Sequence, residues 1–159
     1  MISKSIKIIL LNLLFFTTLF SNTLQEDMKP FTKSSFKTKQ KVVENIVLNH
    51  SENEKLTLVL NTLLKGNLYF TKYKKEFVIL TKKEGKLYHT TNIFTGNILE
   101  PVKKKMFKKV KTNNKLRSII KLKLAELNLF SSDEDIRFSS VKNMLKNINE
   151  ESQILVLKA

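Results

Sequence analysis

The sequence predicts an α+β fold in which HEAT-like helical hairpins flank a small antiparallel β-meander. Three observations lead to this prediction. Apolar residues repeat with helical spacing up to Gly66, aromatic and β-branched residues take over from Leu68 to Thr91, and helical spacing returns after Pro101. A chain of 159 residues has the length of one domain with one modest core. We therefore place a single α+β domain at residues 36–159.

The first helical hairpin is predicted at residues 36–65. Its first helix has an apolar stripe with charged residues, Lys39 among them, around it. The stripe consists of Val42, Val43, Ile46 and Val47. The run S-E-N-E that starts at Ser51 is a capping-box pattern for the second helix. Gly66 ends that helix, because glycine readily takes the left-handed conformation found at helix ends.

The β-meander is predicted at residues 66–99. The run F-V-I-L at residues 77–80 is apolar on both faces, so this strand is expected to be central and covered by a helix. The run T-G-N at residues 95–97 marks a further turn before Ile98 and Leu99. The three strands, separated by polar turns, are expected at residues 68–71, 77–81 and 87–91.

Basic helices are predicted at residues 101–130. Pro101 suits a first helical turn, and Val102, Met106 and Val110 follow at i, i+4 and i+8 with lysines between them. The spacing therefore favours one short basic helix before a longer one.

The longer helix begins at Asn113 or Asn114, either of which can cap it. Arg117, inside the run N-N-K-L-R, is expected to bond neighbouring carbonyls or a carboxylate. Asp133 caps a last helix, which opens an incomplete hairpin at residues 131–159. Residues 141–157 parallel residues 43–60, and this internal echo is the reason for the HEAT-like interpretation.

The N-terminus carries an export signal. Residues 1–24 are predicted to be a signal peptide or a short anchor, because two lysines precede an apolar run at residues 8–20. This run is shorter than the about 20 residues that span a bilayer. Cleavage after about Thr23 and retention as an anchor both stay open. Residues 25–35 are polar, contain Pro30 and lack an apolar period, so we predict a linker there.

Composition limits the function classes. The chain has no cysteine, its three glycines are isolated, and His50 and His89 lie far apart without ligand patterns around them. We therefore expect no metal site, no cofactor and no catalysis. The chain has 29 Lys and Arg against 14 Asp and Glu, a net charge of +15, but only two arginines. We expect no specific nucleic-acid recognition, since lysine lacks the fork that reads bases or phosphates in two places.

Most of this charge is interpreted as solvated surface. One lysine-rich stretch is the candidate face for contact with an acidic partner. Its members are Lys103, Lys104, Lys105, Lys108 and Lys109.

Several short motifs follow one another in a defined order. They are G-N-L-Y-F-T-K from Gly66, T-G-N-I-L-E from Thr95, N-N-K-L-R from Asn113, and L-N-L-F-S-S-D ending at Asp133. In this order, behind a signal-like segment, they resemble the extracytoplasmic N-terminal segment of the urea ABC-transporter permease, a membrane subunit of the branched-chain-amino-acid type. The resemblance runs from residue 36 onward, and the ordered set is more specific than any single motif.

The resemblance implies an importer that is fed by a periplasmic binding protein and driven by cytoplasmic ATPases. The implied partners are the membrane half of the permease and the periplasmic substrate-binding protein, and the implied location is the bacterial periplasm or the periplasmic face of the inner membrane. No apolar run after residue 20 has the length of a spanning helix. We expect a fragment or split-gene product that docks without transporting. The alternative is a free basic periplasmic protein that binds polyanions or the membrane surface by charge.

Overall fold

The computed structural model describes residues 22–145, 153–154 and 156–157. Residues 1–21, which make up most of the signal peptide or short anchor predicted at residues 1–24, lie outside the described residues. The elements with defined bounds are five α-helices, two short 3-10 turns and a five-stranded antiparallel sheet, so the predicted α+β class is confirmed. None of the helices in the described part of the chain is long and apolar enough to cross a membrane.

An N-terminal helical segment packs onto the domain. It comprises helix α1 (Leu24–Asp27) and a first 3-10 turn (Lys29–Thr32). The linker predicted at residues 25–35 is therefore wrong. The side chains that anchor the segment in the main core, each at most 3% exposed, are Leu24, Met28 and Phe31.

Four longer helices follow: α2 (Phe36–His50), α3 (Glu54–Lys65), α4 (Asn114–Asn128) and α5 (Glu134–Leu145). The first two form the predicted first hairpin. Both helices of that hairpin pack against α4, and α5 also packs against α4. The second helix of the last predicted hairpin falls on residues that are mostly outside the described part, so the HEAT-like interpretation stays a prediction.

The start of α3 differs from the predicted capping box. Its N-cap is Asn53, whose side chain accepts a hydrogen bond from the N–H of Lys55 at 2.9 Å. Ser51 keeps helical dihedral angles at the end of α2 and caps nothing in α3. Asparagine and serine are equally good N-caps, and the tight turn between the helices selects the later residue.

The strands of the sheet are β1 (Leu68–Thr71), β2 (Phe77–Glu84), β3 (Leu87–Asn92), β4 (Ile98–Lys103) and β5 (Phe107–Lys109). Their order is β4-β3-β2-β1-β5, and every neighbouring pair is antiparallel. The short basic helix predicted from Pro101 to Val110 is wrong, because these residues form the end of β4, a second 3-10 turn (Lys104–Met106) and β5.

The sheet is curled almost into a barrel. The outer strands of a flat five-stranded sheet lie about 19 Å apart. The second 3-10 turn joins β4 to β5 in only four residue steps, which reach at most about 14 Å when extended. The ring centroids of Tyr88 on β3 and Phe107 on β5 are 5.8 Å apart, although three strand spacings separate these strands. The two edges of the sheet therefore come together around an interior.

The curled sheet has two apolar faces. Its outer face carries Leu68, Phe70 and Phe77, which join the helices in the main core. Its inner face carries Tyr69 and Val78, and the Phe107 ring there meets the rings of Tyr69 and Tyr88 edge to face. Alternation along β1 and β2 produces this division, since successive side chains of a strand point to opposite faces. A strand that is apolar on both faces, as predicted for β2, fits a sheet with two covered faces.

Candidate functional site: two groups of lysines

The structure separates the five predicted contact lysines into two groups. Lys103 ends β4, while Lys104 and Lys105 lie in the second 3-10 turn, and all three are exposed. The half-buried side chains of Val102 and Met106 flank them on the inner side of the curled sheet. Because the apolar neighbours turn inward, the three lysines between them turn to solvent.

These three lysines stand beside a small apolar cleft at one end of the curled sheet. The N–H of Lys72 donates to the carbonyl of Met106 at 2.9 Å, which brings the β1–β2 turn next to the second 3-10 turn. Tyr73 in that turn is 83% exposed and lines the cleft. The cleft has a volume of about 120 Å³, and its lining includes one acidic residue, Glu100. The other lining residues are Thr71, Tyr73, Thr90, Leu99, Val102, Met106 and Phe107. We call this cleft and its lysines 103–105 the barrel mouth.

The lysines of the barrel mouth have no carboxylate partner within the described residues. None of the ion pairs in residues 22–145 includes Lys103, Lys104 or Lys105. Their charge is therefore available to an approaching anionic group, and the exposed Tyr73 adds an aromatic contact. Such an arrangement suits docking of an acidic surface.

Lys108 and Lys109, on β5, line a different depression. It has a volume of about 310 Å³ and lies where the first 3-10 turn, the start of α2 and β5 meet. We call it the lysine pocket. Its lysines are Lys33, Lys39, Lys108, Lys109 and Lys111.

Lys39 is the buried member of the lysine pocket. The residue is 7% exposed, and its Nζ donates to the carbonyl of Lys111 at 3.1 Å and lies 5.3 Å from the centroid of the Phe36 ring. Burial lowers the pKa of Lys39 from its usual range, and the positive charge of Lys111 lowers it further.

Lys39 lies on the buried side of α2, so the prediction that it is one of the charged residues around the apolar stripe is wrong. Lys39 stands at i, with Val42, Val43 and Ile46 at i+3, i+4 and i+7, so it continues the buried stripe by one turn. That spacing was the available signal, and the charge of the side chain concealed it. Lys33 and Lys111 were missed because only the folded chain brings them beside β5.

The residues singled out for structure lie at helix ends and not among the lysines. Gly66 ends α3 with φ 72°, as predicted. Asn113 is the N-cap of α4, where its side chain accepts from the N–H of Leu116 at 2.9 Å. Asn114 is the first residue of α4 and makes no cap.

Two further predicted residues also serve the fold. Arg117 donates from a guanidinium nitrogen to the carbonyl of Leu64 at 2.6 Å, which ties α4 to the last turn of α3. Asp133 accepts from the N–H of Ile136 at 3.1 Å and so caps α5. The carbonyls of a last helical turn lack partners within their helix, so the Arg117 bond satisfies one of them.

The two histidines belong to separate local contacts. His50 lies 3.0 Å from Asp27 and links the end of α2 to α1, and His89 lies 3.0 Å from Glu84 across the β2–β3 hairpin. Among the described residues no group of three or more His, Cys, Asp or Glu is arranged to hold a metal ion.

Comparison of the chain with protein-family models, with curated proteins and with solved structures gave no match.

Proposed function

We propose that this chain is an extracytoplasmic accessory domain of a urea-type ABC importer permease, acting by docking and not by catalysis. The ordered set of motifs from Gly66 to Asp133 carries the proposal. Three of the four motifs contribute residues with a defined task in the fold: the left-handed cap at Gly66, the N-cap at Asn113, the tie from Arg117 and the cap at Asp133. Motifs that serve a common architecture are better support for kinship than motifs scattered without structural purpose.

The barrel mouth is the docking face in this proposal. Its lysines are exposed and unpaired within the described part of the chain, and Tyr73 stands beside them. The partners are the membrane half of the permease and the periplasmic substrate-binding protein. The chain acts in the periplasm or at the periplasmic face of the inner membrane.

The test is a binding measurement with both partners. The membrane half, held in a nanodisc, and the substrate-binding protein are each titrated with the wild-type chain and with the triple variant Lys103→Gln, Lys104→Gln, Lys105→Gln. The matched control changes three exposed lysines on other elements, Lys41, Lys86 and Lys121, to Gln. We expect the first triple variant to weaken association by about tenfold or more, since each lost charge contact costs a few tenths to about 1 kcal/mol. The control should bind like the wild type.

Two results would reject this proposal. If neither partner bound the chain measurably, the proposed role in an importer would be rejected. Equal weakening by both triple variants would show that net charge, and not the barrel mouth, drives association.

A second candidate is a free basic protein that binds polyanions or membrane surfaces by charge. The unpaired lysines of the barrel mouth favour it as well. It predicts DNA binding without sequence preference, with an affinity that falls steeply as salt rises because counterions are released. Specific recognition, tighter than about 10⁻⁸ M at physiological salt with sequence preference, would contradict both candidates.

A further inference from the structure

The lysine pocket concentrates positive charge without any acidic counterpart. Five lysines line it, and neither Asp nor Glu is among its lining residues. None of these five lysines takes part in an ion pair within residues 22–145. The remaining lining includes Thr32, Ser34 and Ser35. The pocket thus presents donors and positive charge to whatever enters it.

Lys39 makes this arrangement more than a patch of surface charge. A lysine is almost never buried unless it is paired, and removing its charge from water costs free energy. An ammonium group has three N–H bonds, and the Lys111 carbonyl accepts only one of them. The repulsion between Lys39 and Lys111 adds to the cost. A bound anion would offset both contributions.

The start of α2 contributes further donors. The first N–H groups of a helix have no partner within that helix, and Ser35 accepts the N–H of Thr38 at 3.2 Å as the cap. Phe36, the first residue of α2, and Lys39, one turn later, both line the pocket. A helix of 15 residues adds a positive partial charge at this end.

The donor set selects the class of anion. Ammonium and backbone N–H groups can only donate, so a ligand with several acceptor oxygens fits them best. A phosphomonoester carries about −1.5 to −2 charges and three acceptor oxygens. Lysine binds phosphate as a point charge and does not require the planar two-point geometry that arginine favours. A carboxylate or a chloride ion carries only one negative charge and offers fewer acceptor oxygens to these donors.

We propose that the lysine pocket is a binding site for a phosphate group, held by Lys39, Lys111 and the neighbouring lysines of β5 at the start of α2. The phosphate can belong to a soluble phosphomonoester or to phosphatidic acid, a phospholipid whose headgroup is a phosphomonoester. This site is separate from the barrel mouth and does not rest on the importer proposal.

The first experiment measures thermal unfolding of the full chain with inorganic phosphate, and with acetate or chloride at matched ionic strength. We expect phosphate at ten times its Kd to raise Tm by about 5 °C, and acetate or chloride to raise it by much less. Lys39→Met, which keeps the buried apolar stem without the charge, should abolish the shift. Lys111→Gln should reduce the affinity about tenfold or more. Lys41→Gln, an exposed lysine of the same helix, should leave the shift unchanged.

The second experiment distinguishes the two sources of the phosphate. Vesicles that contain phosphatidic acid and vesicles of phosphatidylcholine alone are floated with the wild type, Lys39→Met and Lys41→Gln. Loss of phosphatidic acid binding in Lys39→Met alone assigns the pocket to lipid headgroups. Equal vesicle binding by all three proteins, with glycerol 3-phosphate binding lost in Lys39→Met, assigns it to soluble phosphomonoesters.

Equal phosphate shifts in the wild type and Lys39→Met would overturn the proposal, and so would a shift with acetate as large as that with phosphate. If Lys39→Met does not fold, Lys111→Gln gives the same decision, because its side chain is exposed and only its charge is removed. Importer partners play no part in these measurements, so failure here leaves the docking proposal to its own test.

Discussion

Replacement of Gly66 by alanine tests the connection between the helical hairpin and the sheet. Gly66 has φ 72°, donates to the carbonyl of Leu63 at 3.0 Å, and is followed by Asn67, which donates to the carbonyl of Thr62 at 2.9 Å. The two bonds turn the chain from α3 into β1. The left-handed conformation destabilises the folded state of a residue with a Cβ by about 1–2 kcal/mol. Alanine also makes the unfolded chain less flexible than glycine does, which stabilises the protein by about 0.4–1 kcal/mol. We expect Gly66→Ala to lower the free energy of unfolding by about 1 kcal/mol.

Space contributes little to this loss. A Cβ at position 66 would lie 3.0 Å from Nζ and 3.2 Å from Cε of Lys109. These atoms are the far end of a flexible side chain, which can swing aside without moving the backbone. Gly96 supplies the matched control, since it has φ 73° and no atom within 4 Å of its added Cβ.

The measurement is urea unfolding of the wild type, Gly66→Ala and Gly96→Ala. We expect the two variants to lose similar stability, with a difference of no more than a few tenths of a kcal/mol. Gly66→Asn should be less costly than Gly66→Ala, because asparagine tolerates the left-handed conformation. A neutral Gly66→Ala would refute the conformational argument. A loss above about 3 kcal/mol, with Gly96→Ala near 1 kcal/mol, would show that Lys109 cannot move and would refute the spatial argument.

Three further substitutions test other parts of the fold by the same urea measurement. Phe31→Ala should lower the free energy of unfolding by about 3–5 kcal/mol if the N-terminal segment belongs to the core. Phe130→Ala, at an exposed position, should change it by no more than about 0.5 kcal/mol. Equal effects of the two substitutions would mean that the N-terminal segment is a linker and not part of the core. Arg117→Met should cost about 1.5–3 kcal/mol by removing a charged hydrogen bond to a helix end, and a neutral result would mean that water replaces it. Asn113→Ala should cost about 1 kcal/mol and Asn114→Ala much less; the reverse order would move the N-cap by one residue.

Three of the helix ends and the first three strands could be predicted because local chemistry specifies them. Gly66, Asn113 and Asp133 each do at a helix end what their side chains, or the lack of one, make favourable. The strands around residues 68–91 have enough aromatic and β-branched residues to identify them without knowledge of their partners.

The N-terminal segment was missed for a reason that the sequence contains. Leu24, Met28 and Phe31 stand at i, i+4 and i+7, which is helical spacing. Pro30 was interpreted as a break, although proline is tolerated in a first helical turn, where its missing N–H would have no partner. Three apolar residues in a short polar stretch give a weak periodic signal, and only the core they complete shows their purpose.

The strand β5 could not be predicted from local spacing. Val102, Met106 and Val110 fit a helix, yet Phe107 pairs with Thr71 on β1, far away in sequence. That pairing, together with the curl of the sheet, overrides local propensity because it satisfies the free edge of β1 and buries the Phe107 ring. Long-range pairing of this kind leaves no trace in the periodicity of the segment itself.

The same closure decides which lysines act together. The stretch from Lys103 to Lys109 is continuous in sequence, but the second 3-10 turn leaves its first three lysines at the barrel mouth and β5 carries the last two to the lysine pocket. Exposed charges are screened beyond about 8–10 Å at physiological salt, whereas partly buried charges are screened much less. Docking at the barrel mouth should therefore weaken steeply with added salt, and binding around the buried Lys39 should weaken less. The salt dependence of binding therefore distinguishes the two lysine groups, because exposed charges attract a partner mainly through the screened long-range field, whereas a partly buried charge acts on a ligand in direct contact.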